Sequence, residues 1–512
     1  MLFNSWQFGI FFPAVFIIYW LIPDKFRWVL LLISSLYFYM SWNAKYIILI
    51  LFTTFISYIA GILLNKIENK PARKFILVFA LISCLGVLFV FKYFNFAVQI
   101  LDDIFRIFAI KLHPVTLNLL LPVGISFYTF QTLGYVIDVY RNKIEPEKNF
   151  GIYATFISFF PQLIMGPINR YGQLGLQMKE EHRFDFENIK HGAMLILYGA
   201  MKKYIIADLL YSRVVSALDQ PNYSLPGFVI TAGILMYALY QYADFSGGID
   251  MVLGIAELFG LKMQPNFRQP YFSTSLANFW QRWHISLGAW MRDYVFYPLA
   301  LTKGMQDFSK WCASHMGKHF ARVLPACIAN IAVFILVGVW HGPELHFFVW
   351  GLYNGLVIAL SDLLKPVFDR INSFFHISVK STGMHVFRII RTFVIVNIGW
   401  YFDHIVDVKK SFVYLKNTFT RFGNPLLLLN RDYMVSVFGH ISHFQSQIVL
   451  IAAGTIILFT VSVLKERNID VYREIQKRNI AVRWLSYYVL LALVILSFSF
   501  STGDSGFMYA QY

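Results

Sequence analysis

The chain has 512 residues, of which 57% are hydrophobic and 18% aromatic, while only 14% carry a charged side chain. Soluble domains usually have about 25% charged residues, so this composition excludes a soluble globular protein and indicates an integral membrane protein. The formal net charge is +16. The basic residues lie in short stretches between apolar runs, which indicates orientation in a bilayer rather than binding of nucleic acid.

Apolar runs recur along the whole chain, and one bilayer crossing needs about 20 such residues. The first run has no basic n-region and no small-residue cleavage site, so we interpret it as a span and not as a signal peptide. The pattern predicts an all-α, polytopic membrane protein with roughly eleven to thirteen transmembrane or re-entrant helices. The predicted spans are 6–22, 28–42, 46–64, 75–99, 115–140, 152–168, 192–212, 228–260, 325–341, 346–364, 388–402, 448–464 and 483–501.

Two of these spans are interrupted by proline and glycine, in "LLLPVGISFYTFQTLGYVIDVY" (119–140) and "FISFFPQLIMGPINRYG" (156–172). Such interruptions predict broken or re-entrant helices that line a cavity, because irregular backbone is not tolerated against lipid. No repeat and no soluble linker separates parts of the chain. We therefore predict a single domain over residues 1–512.

Three basic loops predict the orientation of the chain. They are 65–74, 302–322 and 465–483, each net positive, and the positive-inside rule places them in the cytoplasm. Three spans precede the first loop, so the N-terminus is predicted to lie outside, as is the C-terminus. Residues 403–447 are predicted to form an external excursion.

Polar residues are concentrated among aromatic ones in "NFWQRWHISLGAWMRDYVFYPL" (278–299). An ionisable side chain at membrane depth costs about 3 kcal/mol, so each one needs a reason. We interpret the segment as one helix with two polar strips, at a cytoplasmic interface or along the wall of a funnel. An interfacial helix with snorkelling arginines and a tryptophan belt remains the alternative. The strips consist of Gln281, His284 and Gly288 on one face and Arg282, Ser286, Ala289 and Asp293 on the other.

A second histidine, His341, ends the uncharged run from Ile328 to Trp340 in "LVGVWHGPELHFFVWGLYNG". A neutral imidazole can be buried without a partner ion, and its ordinary pKa of about 6.5 lets it accept and return a proton. His341 is thus predicted to be deep or nearly deep in the protein and to be a candidate general base. A packing histidine bonded to a helix carbonyl is the alternative.

Other polar groups give weaker signals. Asp244 and Asp250 flank a glycine pair, which indicates either a helix break or two structural carboxylates. His315 and His319 have helical metal-ligand spacing but lack the glutamate of the HExxH motif, so no metal site is predicted. The three cysteines have neither zinc-ligand nor redox spacing.

Stretches spread over almost the full length resemble the membrane-bound O-acyltransferase family. The resemblance is to its bacterial branch, which includes the alginate and peptidoglycan O-acetylation membrane proteins and the D-alanyl transfer protein of teichoic acid modification. The order of RWHISL and VWHG is the most specific feature. The resembling pieces are "MLFNSWQFGIFF", "LPVGISFYTFQTLGYVIDVYR", "FFPQLIMGPINR", "DFSGGIDMVLGIAELFGLKMQPNFRQPYFSTSLANFWQRWHISLGAWMRDYVFYPLA", "VGVWHG" and the closing "FMYAQY".

The resemblance implies a helical ring around a thin central region, with a donor funnel open to the cytoplasm and acceptor access from outside. The core would be about 115–365, with accessory helices at both ends. His341 would correspond to the catalytic histidine and His284 to the second signature histidine. The residues implied to line the donor funnel or bind substrate are Asn266, Arg282, Trp283, Arg292, Asp293, Trp340 and Asp244.

The implied activity is O-acyl transfer, with acetyl from acetyl-CoA or another acyl thioester as the donor and no bound cofactor. The acceptor would be an extracellular or cell-wall polysaccharide, reached with an extracellular SGNH-type acetyltransferase or a related partner, in the bacterial inner membrane. The family's usual "YIPLGGNR" is replaced here by "FYPLALTKG", which leaves the donor or carrier open. D-alanyl transfer to teichoic acid, a polytopic transporter and a non-catalytic scaffold remain alternatives.

Overall fold

Helices form most of the chain in the computed structural model, which describes residues 1, 5–108, 110, 115–221, 223–438, 444–499 and 507. Within these ranges the only β-type pairing is one isolated antiparallel bridge between Phe267 and Trp283. The all-α prediction is therefore confirmed.

The helices of the first half are α1 (Trp6–Leu21), α2 (Asp24–Asn43), α3 (Ile47–Lys66), α4 (Lys70–Leu88), α5 (Phe94–Ile107), α6 (Ile125–Tyr140), α7 (Phe150–Ser158), α8 (Phe160–Met165), α9 (Phe186–Met201), α10 (Asp208–Leu218) and α11 (Gly227–Leu258). Short 3-10 turns cover Ala44–Tyr46 and Gln177–Lys179. Wider π-turns cover Phe89–Tyr93, Tyr171–Gly175 and Lys202–Ala207.

The second half contains α12 (Leu276–Trp280), α13 (Ile285–Met291), α14 (Tyr297–Ala300), α15 (Lys303–His315), α16 (Lys318–His341), α17 (Leu345–Leu363), α18 (Lys365–Phe374), α19 (Thr382–His404), α20 (Val408–Thr420), α21 (Arg431–Phe438), α22 (Phe444–Glu466), α23 (Val471–Gln476) and α24 (Ile480–Phe498). A π-turn covers Arg292–Phe296, and 3-10 turns cover Pro270–Phe272 and Pro425–Leu429.

Six helical stretches in the described residues are long and apolar enough to cross a membrane, or seven if the bent pair α17 and α18 counts as one span. The first two are composite, because Asp24–Lys66 and Lys70–Ile107 each contain two helices joined by a short turn. This is a multi-pass membrane protein. The predicted number of eleven to thirteen crossings stays a prediction.

The helix bounds agree with most predicted spans, and the differences have local causes. In the predicted span 115–140, helix α6 begins only at Ile125, after Pro122 and after Gly124 in the left-handed region with φ 74°. The predicted span 152–168 is two short helices, with Phe159 between them and Pro161 in the first turn of the second. Most of the closing "FMYAQY" and residues 439–443 of the predicted excursion lie outside the described residues.

The chain divides into two compact units. The first contains Phe507 and the described parts of Met1–Ile196 and Ile249–Gln264, and the second contains those of Leu197–Gly248 and Pro265–Ser505. The prediction of one domain over 1–512 stays a prediction.

The core of the first unit is built around α6, which is buried along nearly its whole length. Gly61 of α3 allows α3 and α6 to approach each other closely, because a Cβ on Gly61 would lie 2.8 Å from the Tyr135 ring of α6. Behind it, the hydroxyls of Ser57 and Tyr153 share a hydrogen bond of 2.8 Å. The interrupted span is thus an internal element and not a lipid-facing one.

In the second unit, α16 and α17 form a tightly packed antiparallel hairpin. A Cβ at Gly338 would lie 2.2 Å from the Phe347 carbonyl oxygen, and one at Gly351 would lie 2.3 Å from that of Phe334. Only glycine permits this approach of two helix backbones. The hairpin fixes the position of His341, the last residue of α16.

Candidate active site

His341 lies at the end of a long apolar helix and is buried, with 7% of its surface exposed. Three aromatic rings surround it. The ring centroid of Trp350 is 5.2 Å away in a perpendicular arrangement, that of Trp340 is 5.0 Å away, and that of Phe347 is 5.9 Å away. The predicted deep position of His341 is confirmed.

A polar contact holds the aromatic wall beside His341 in place. The indole N–H of Trp280 donates a hydrogen bond of 3.0 Å to Oδ1 of Asn354, and Nδ2 of Asn354 donates one of 2.8 Å to the Trp350 carbonyl oxygen. The rings of Trp280 and Trp350 meet at right angles, 5.4 Å apart. Because buried tryptophan usually needs a partner for its N–H, Asn354 sets the orientation of the Trp280 ring, which packs against the Trp350 ring that faces His341.

The predicted continuous helix over 278–299 is wrong. Helix α12 ends at Trp280, and His284 lies in the left-handed region with φ 47° as the N-cap of α13. Non-glycine residues seldom adopt this conformation, and they do so where surrounding contacts hold them. The two predicted polar strips therefore do not exist as faces of one helix.

Backbone hydrogen bonds to residues 266–268 hold this break in place. Arg268 N–H donates to the Arg282 carbonyl oxygen at 2.9 Å, and Ile285 N–H donates to the Asn266 carbonyl oxygen at 3.0 Å. They flank the Phe267–Trp283 bridge. The pairing turns the His284 side chain away from the path that a regular helix would give it.

The Asn266 side chain determines how His284 is protonated. Its Oδ1 accepts hydrogen bonds from the Ser286 backbone N–H and hydroxyl, both at 2.9 Å, and lies 3.3 Å from His284 Nδ1. A backbone N–H can only donate, so this atom is the oxygen, and Nδ1 must be the protonated nitrogen. Nε2 then carries the lone pair and can accept a hydrogen bond.

His284 is also buried, with 2% of its surface exposed. The imidazole is therefore shielded from bulk water by the surrounding protein. Its segment lies outside the helices long enough to span a membrane, and burial lowers the pKa of His284 to about 3. Burial therefore favours the neutral form of the imidazole.

The indole ring of Trp340 lies close to both His284 and His341. The ring centroid of Trp340 is 6.1 Å from that of His284 and 5.0 Å from that of His341. Phe245 of α11 covers His284 from another side, with its ring perpendicular at 4.8 Å. The structure thus brings together four predicted residues, His284, His341, Trp340 and Asn266.

The other predicted funnel residues have different surroundings. Arg282 forms an ion pair of 2.8 Å with Glu466, and Trp283 is buried with its ring stacked on Phe279. Arg292 pairs with its neighbour Asp293 at 2.8 Å, and its side chain is 57% exposed. Their predicted roles toward the donor stay predictions.

Asp244 is fully buried and pairs with a lysine that sequence reasoning missed. Nζ of Lys203 lies 2.6 Å from Asp244 and 2.8 Å from Asp208. The neighbouring Lys202 donates a hydrogen bond of 2.9 Å to the Ser246 hydroxyl. Two adjacent lysines inside the predicted span 192–212 were a usable signal, because cations in apolar spans are rare and need partners. The position of Asn354 beside glycine in the sequence was a weaker signal.

Sequence comparisons with known proteins show the family to which the chain belongs. The model of the membrane-bound O-acyltransferase family matches residues 149–398, a segment that holds both histidines, Asn266 and Asn354. The chain is 33% identical over 410 residues to the probable alginate O-acetylase AlgI of Pseudomonas syringae pv. tomato, covering 78% of this chain and 71% of that protein.

The chain belongs to the membrane-bound O-acyltransferase family. It is also 28% identical over 428 residues to the peptidoglycan O-acetyltransferase of Helicobacter pylori, which covers 78% of this chain and 75% of that protein. A teichoic acid D-alanyltransferase of Streptococcus thermophilus is 27% identical over 261 residues, which cover 49% of this chain and 60% of that protein. As a member of this family, the protein is a membrane O-acyltransferase, which decides against the transporter and scaffold alternatives.

Proposed function

We propose that the protein takes an acetyl group from a cytoplasmic thioester, with acetyl-CoA as the first candidate, and passes it through the membrane for O-acetylation of an extracellular or cell-wall polysaccharide. The proposal depends on one observation. The two buried histidines, His284 and His341, both pack against the Trp340 indole, inside the segment that the family model matches. The alginate and peptidoglycan O-acetyltransferases align over more of the chain than the D-alanyltransferase does. D-alanyl transfer is the second candidate.

In the proposed reaction His341 is the general base. A hydroxyl is a weak nucleophile until a base removes its proton. The imidazole takes the acceptor's hydroxyl proton while the oxygen attacks the thioester carbonyl carbon. The carbon–sulfur bond of the resulting tetrahedral intermediate then breaks, and the imidazolium returns the proton to the leaving thiolate. An ester and a free thiol are the products, and His341 is neutral again.

The aromatic enclosure supports this chemistry in two ways. Trp340, Phe347 and Trp350 leave little room for water around His341, which would otherwise hydrolyse the thioester. They also fix the imidazole plane, and general-base efficiency depends on a hydrogen bond of defined geometry to the hydroxyl.

His284 is proposed to orient the donor. The contact with Asn266 keeps the proton on Nδ1 and leaves Nε2 as an acceptor. Thioester carriers of the pantetheine type contain amide N–H groups that could donate to it. Because the ring is held by Asn266 and Phe245, a donor bound to Nε2 would be placed reproducibly.

The first prediction separates the two histidines. His284→Gln keeps a hydrogen-bonding side chain, so we expect partial activity, with kcat/KM about tenfold lower, as the loss of one good hydrogen bond implies. Raising the donor concentration should recover much of the rate. The measurement is initial rate against donor concentration for the purified, reconstituted enzyme.

Asn266→Ala is a companion to this variant, because it keeps the imidazole but removes the group that fixes its tautomer. We expect it to raise KM for the donor in the same way. His315→Gln is the matched control, since His315 is an exposed residue of α15. A loss in His284→Gln that is as large as in His341→Ala and independent of donor would place His284 in the chemical step instead.

The proposed setting is the bacterial inner membrane, with both termini outside and the basic segment 302–322 in the cytoplasm. The exposed lysines of α15, such as Lys310, agree with the positive-inside rule. The proposed partners are the surrounding bilayer, an extracellular SGNH-type acetyltransferase or related protein, and the acceptor glycan. We propose no nucleic-acid partner.

Membrane vesicles of opposite orientation test both the donor and the orientation. We expect labelled acetyl-CoA added outside inside-out vesicles to give base-labile label on a protein or glycan acceptor, because the donor side then faces the medium. Right-side-out vesicles from the same cells should give little label, since coenzyme A esters do not cross a bilayer unaided.

Two results would change the proposal. Transfer from a D-alanyl carrier protein without transfer from acetyl-CoA would favour the second candidate. Labelling that is stronger in right-side-out vesicles would reverse the proposed orientation. Vesicles with His341→Ala give the background for both arms.

A further inference from the structure

The second unit contains an apolar cavity of about 480 Å³ among α10, α11, α21 and α22. This volume lies in the range of pockets that hold small ligands. None of the residues that line it belongs to the histidine site. Its apolar walls include Leu210, Met236, Leu239, Ile448, Ile451 and Ile456.

A cation lies in this apolar wall. Nη1 of Arg213 donates a hydrogen bond of 3.1 Å to the Phe438 carbonyl oxygen, and Nη2 donates one of 3.4 Å to Oε1 of Gln447. Both acceptors are neutral, and no carboxylate of the described residues pairs with Arg213. A guanidinium has five N–H donors, so part of its hydrogen-bonding capacity remains for an anion.

The same wall also contains a threonine with a buried hydroxyl. Thr455 lines the cavity, and its buried Oγ1 has no hydrogen-bond partner in the part of the chain that the structure describes. Buried polar groups are rarely left unsatisfied, and an arginine in apolar surroundings is costly without a counter-charge. The Arg213 guanidinium is therefore explained by a ligand with an anionic end that accepts hydrogen bonds.

We propose that this cavity binds one anionic phospholipid of the surrounding bilayer, with its phosphate on Arg213 and an acyl chain along the apolar walls. The opening supports this occupant. Helix α22 is one of the helices long and apolar enough to span the membrane, and Ile448 and Ile456 are exposed on it. The cavity wall is thus continuous with a lipid-facing surface, where phospholipid is the abundant amphiphile. The proposal is independent of the acyl-transfer site.

The test uses the full-length protein, purified and delipidated in a neutral detergent. Binding of phosphatidylglycerol and of phosphatidylcholine is measured by native mass spectrometry during titration. We expect wild type to retain one phosphatidylglycerol with clear preference over phosphatidylcholine. Arg213→Gln should bind it about tenfold more weakly or worse, because a charge-assisted hydrogen bond is lost. Arg370→Gln, which removes an equal charge from an exposed position of α18, should bind like wild type.

A second variant keeps the proposal testable if Arg213→Gln does not fold. Ala452→Phe fills part of the cavity and leaves Arg213 in place, so it should also lose the lipid. Wild-type affinity for phosphatidylglycerol in either variant would overturn the proposal. So would equal binding of both lipids, or displacement of the lipid by glycerol phosphate, which lacks an acyl chain and should not compete.

Discussion

His341→Ala is expected to abolish acyl transfer while membrane-inserted protein remains at its normal level. Loss of a positioned general base costs roughly 10²–10⁴-fold in rate, and an alanine also gives up whatever orientation the imidazole provides. Raising the donor concentration cannot restore the rate, because the missing step is proton transfer and not binding. The measurement is kcat at saturating donor for the reconstituted enzyme, beside the amount of folded protein.

The choice of control decides how this result is interpreted. His346 is another buried histidine on the same hairpin, and its Nδ1 lies 2.9 Å from the Phe402 carbonyl oxygen. His346→Ala therefore measures the effect of removing another buried imidazole from this hairpin, one that packs against Phe347 and bonds to a backbone carbonyl. Near-normal transfer by well-expressed His341→Ala would contradict the general-base role.

The position of His341 could be predicted because its determinants are local. An uncharged run of helical length ends at this residue, and Gly338 and Gly342 flank it in the sequence. The close approach that Gly338 permits between α16 and α17 is a property of neighbouring residues on one hairpin. Apolar periodicity gave most other helix positions for the same reason, since a span is recognised from its own composition.

The surroundings of His284 could not be predicted, because they depend on residues distant in sequence. Helical spacing suggested an unbroken helix over 278–299, but hydrogen bonds to Asn266 and Arg268 interrupt it. No feature of RWHISL indicates a left-handed residue at its centre. Tertiary contacts here outweigh local helix propensity, as they often do.

The buried charge pair shows a different limit. The sequence drew attention to Asp244 as an unusual carboxylate in an apolar run, but its counter-ion lies 41 positions earlier. A single sequence does not reveal which of several lysines forms the ion pair with a buried carboxylate. The consequence of the pairing is nevertheless large enough to measure.

Lys203→Met is expected to destabilise the protein strongly. The variant leaves Asp244 and Asp208 without the ammonium that lies 2.6 and 2.8 Å from them. Removing one partner of a buried ion pair costs about 3–5 kcal/mol, because the remaining charge stays desolvated. We expect the thermal midpoint of the detergent-purified protein to fall by at least about 5 °C, measured by loss of the monodisperse peak in size-exclusion chromatography after heating.

Lys477→Met is the matched control, because Lys477 forms an ion pair of the same 2.6 Å length with Glu474, but on an exposed surface. Exposed pairs contribute about 0–1 kcal/mol, since water and salt screen them, so this variant should melt close to wild type. The double variant Lys203→Met with Asp244→Asn should recover part of the loss, because it removes one of the two stranded carboxylates. Equal thermal midpoints for Lys203→Met and Lys477→Met would contradict this prediction. They would mean that burial does not increase the contribution of the Lys203 ion pair to stability, and that water reaches Lys203 in the folded protein.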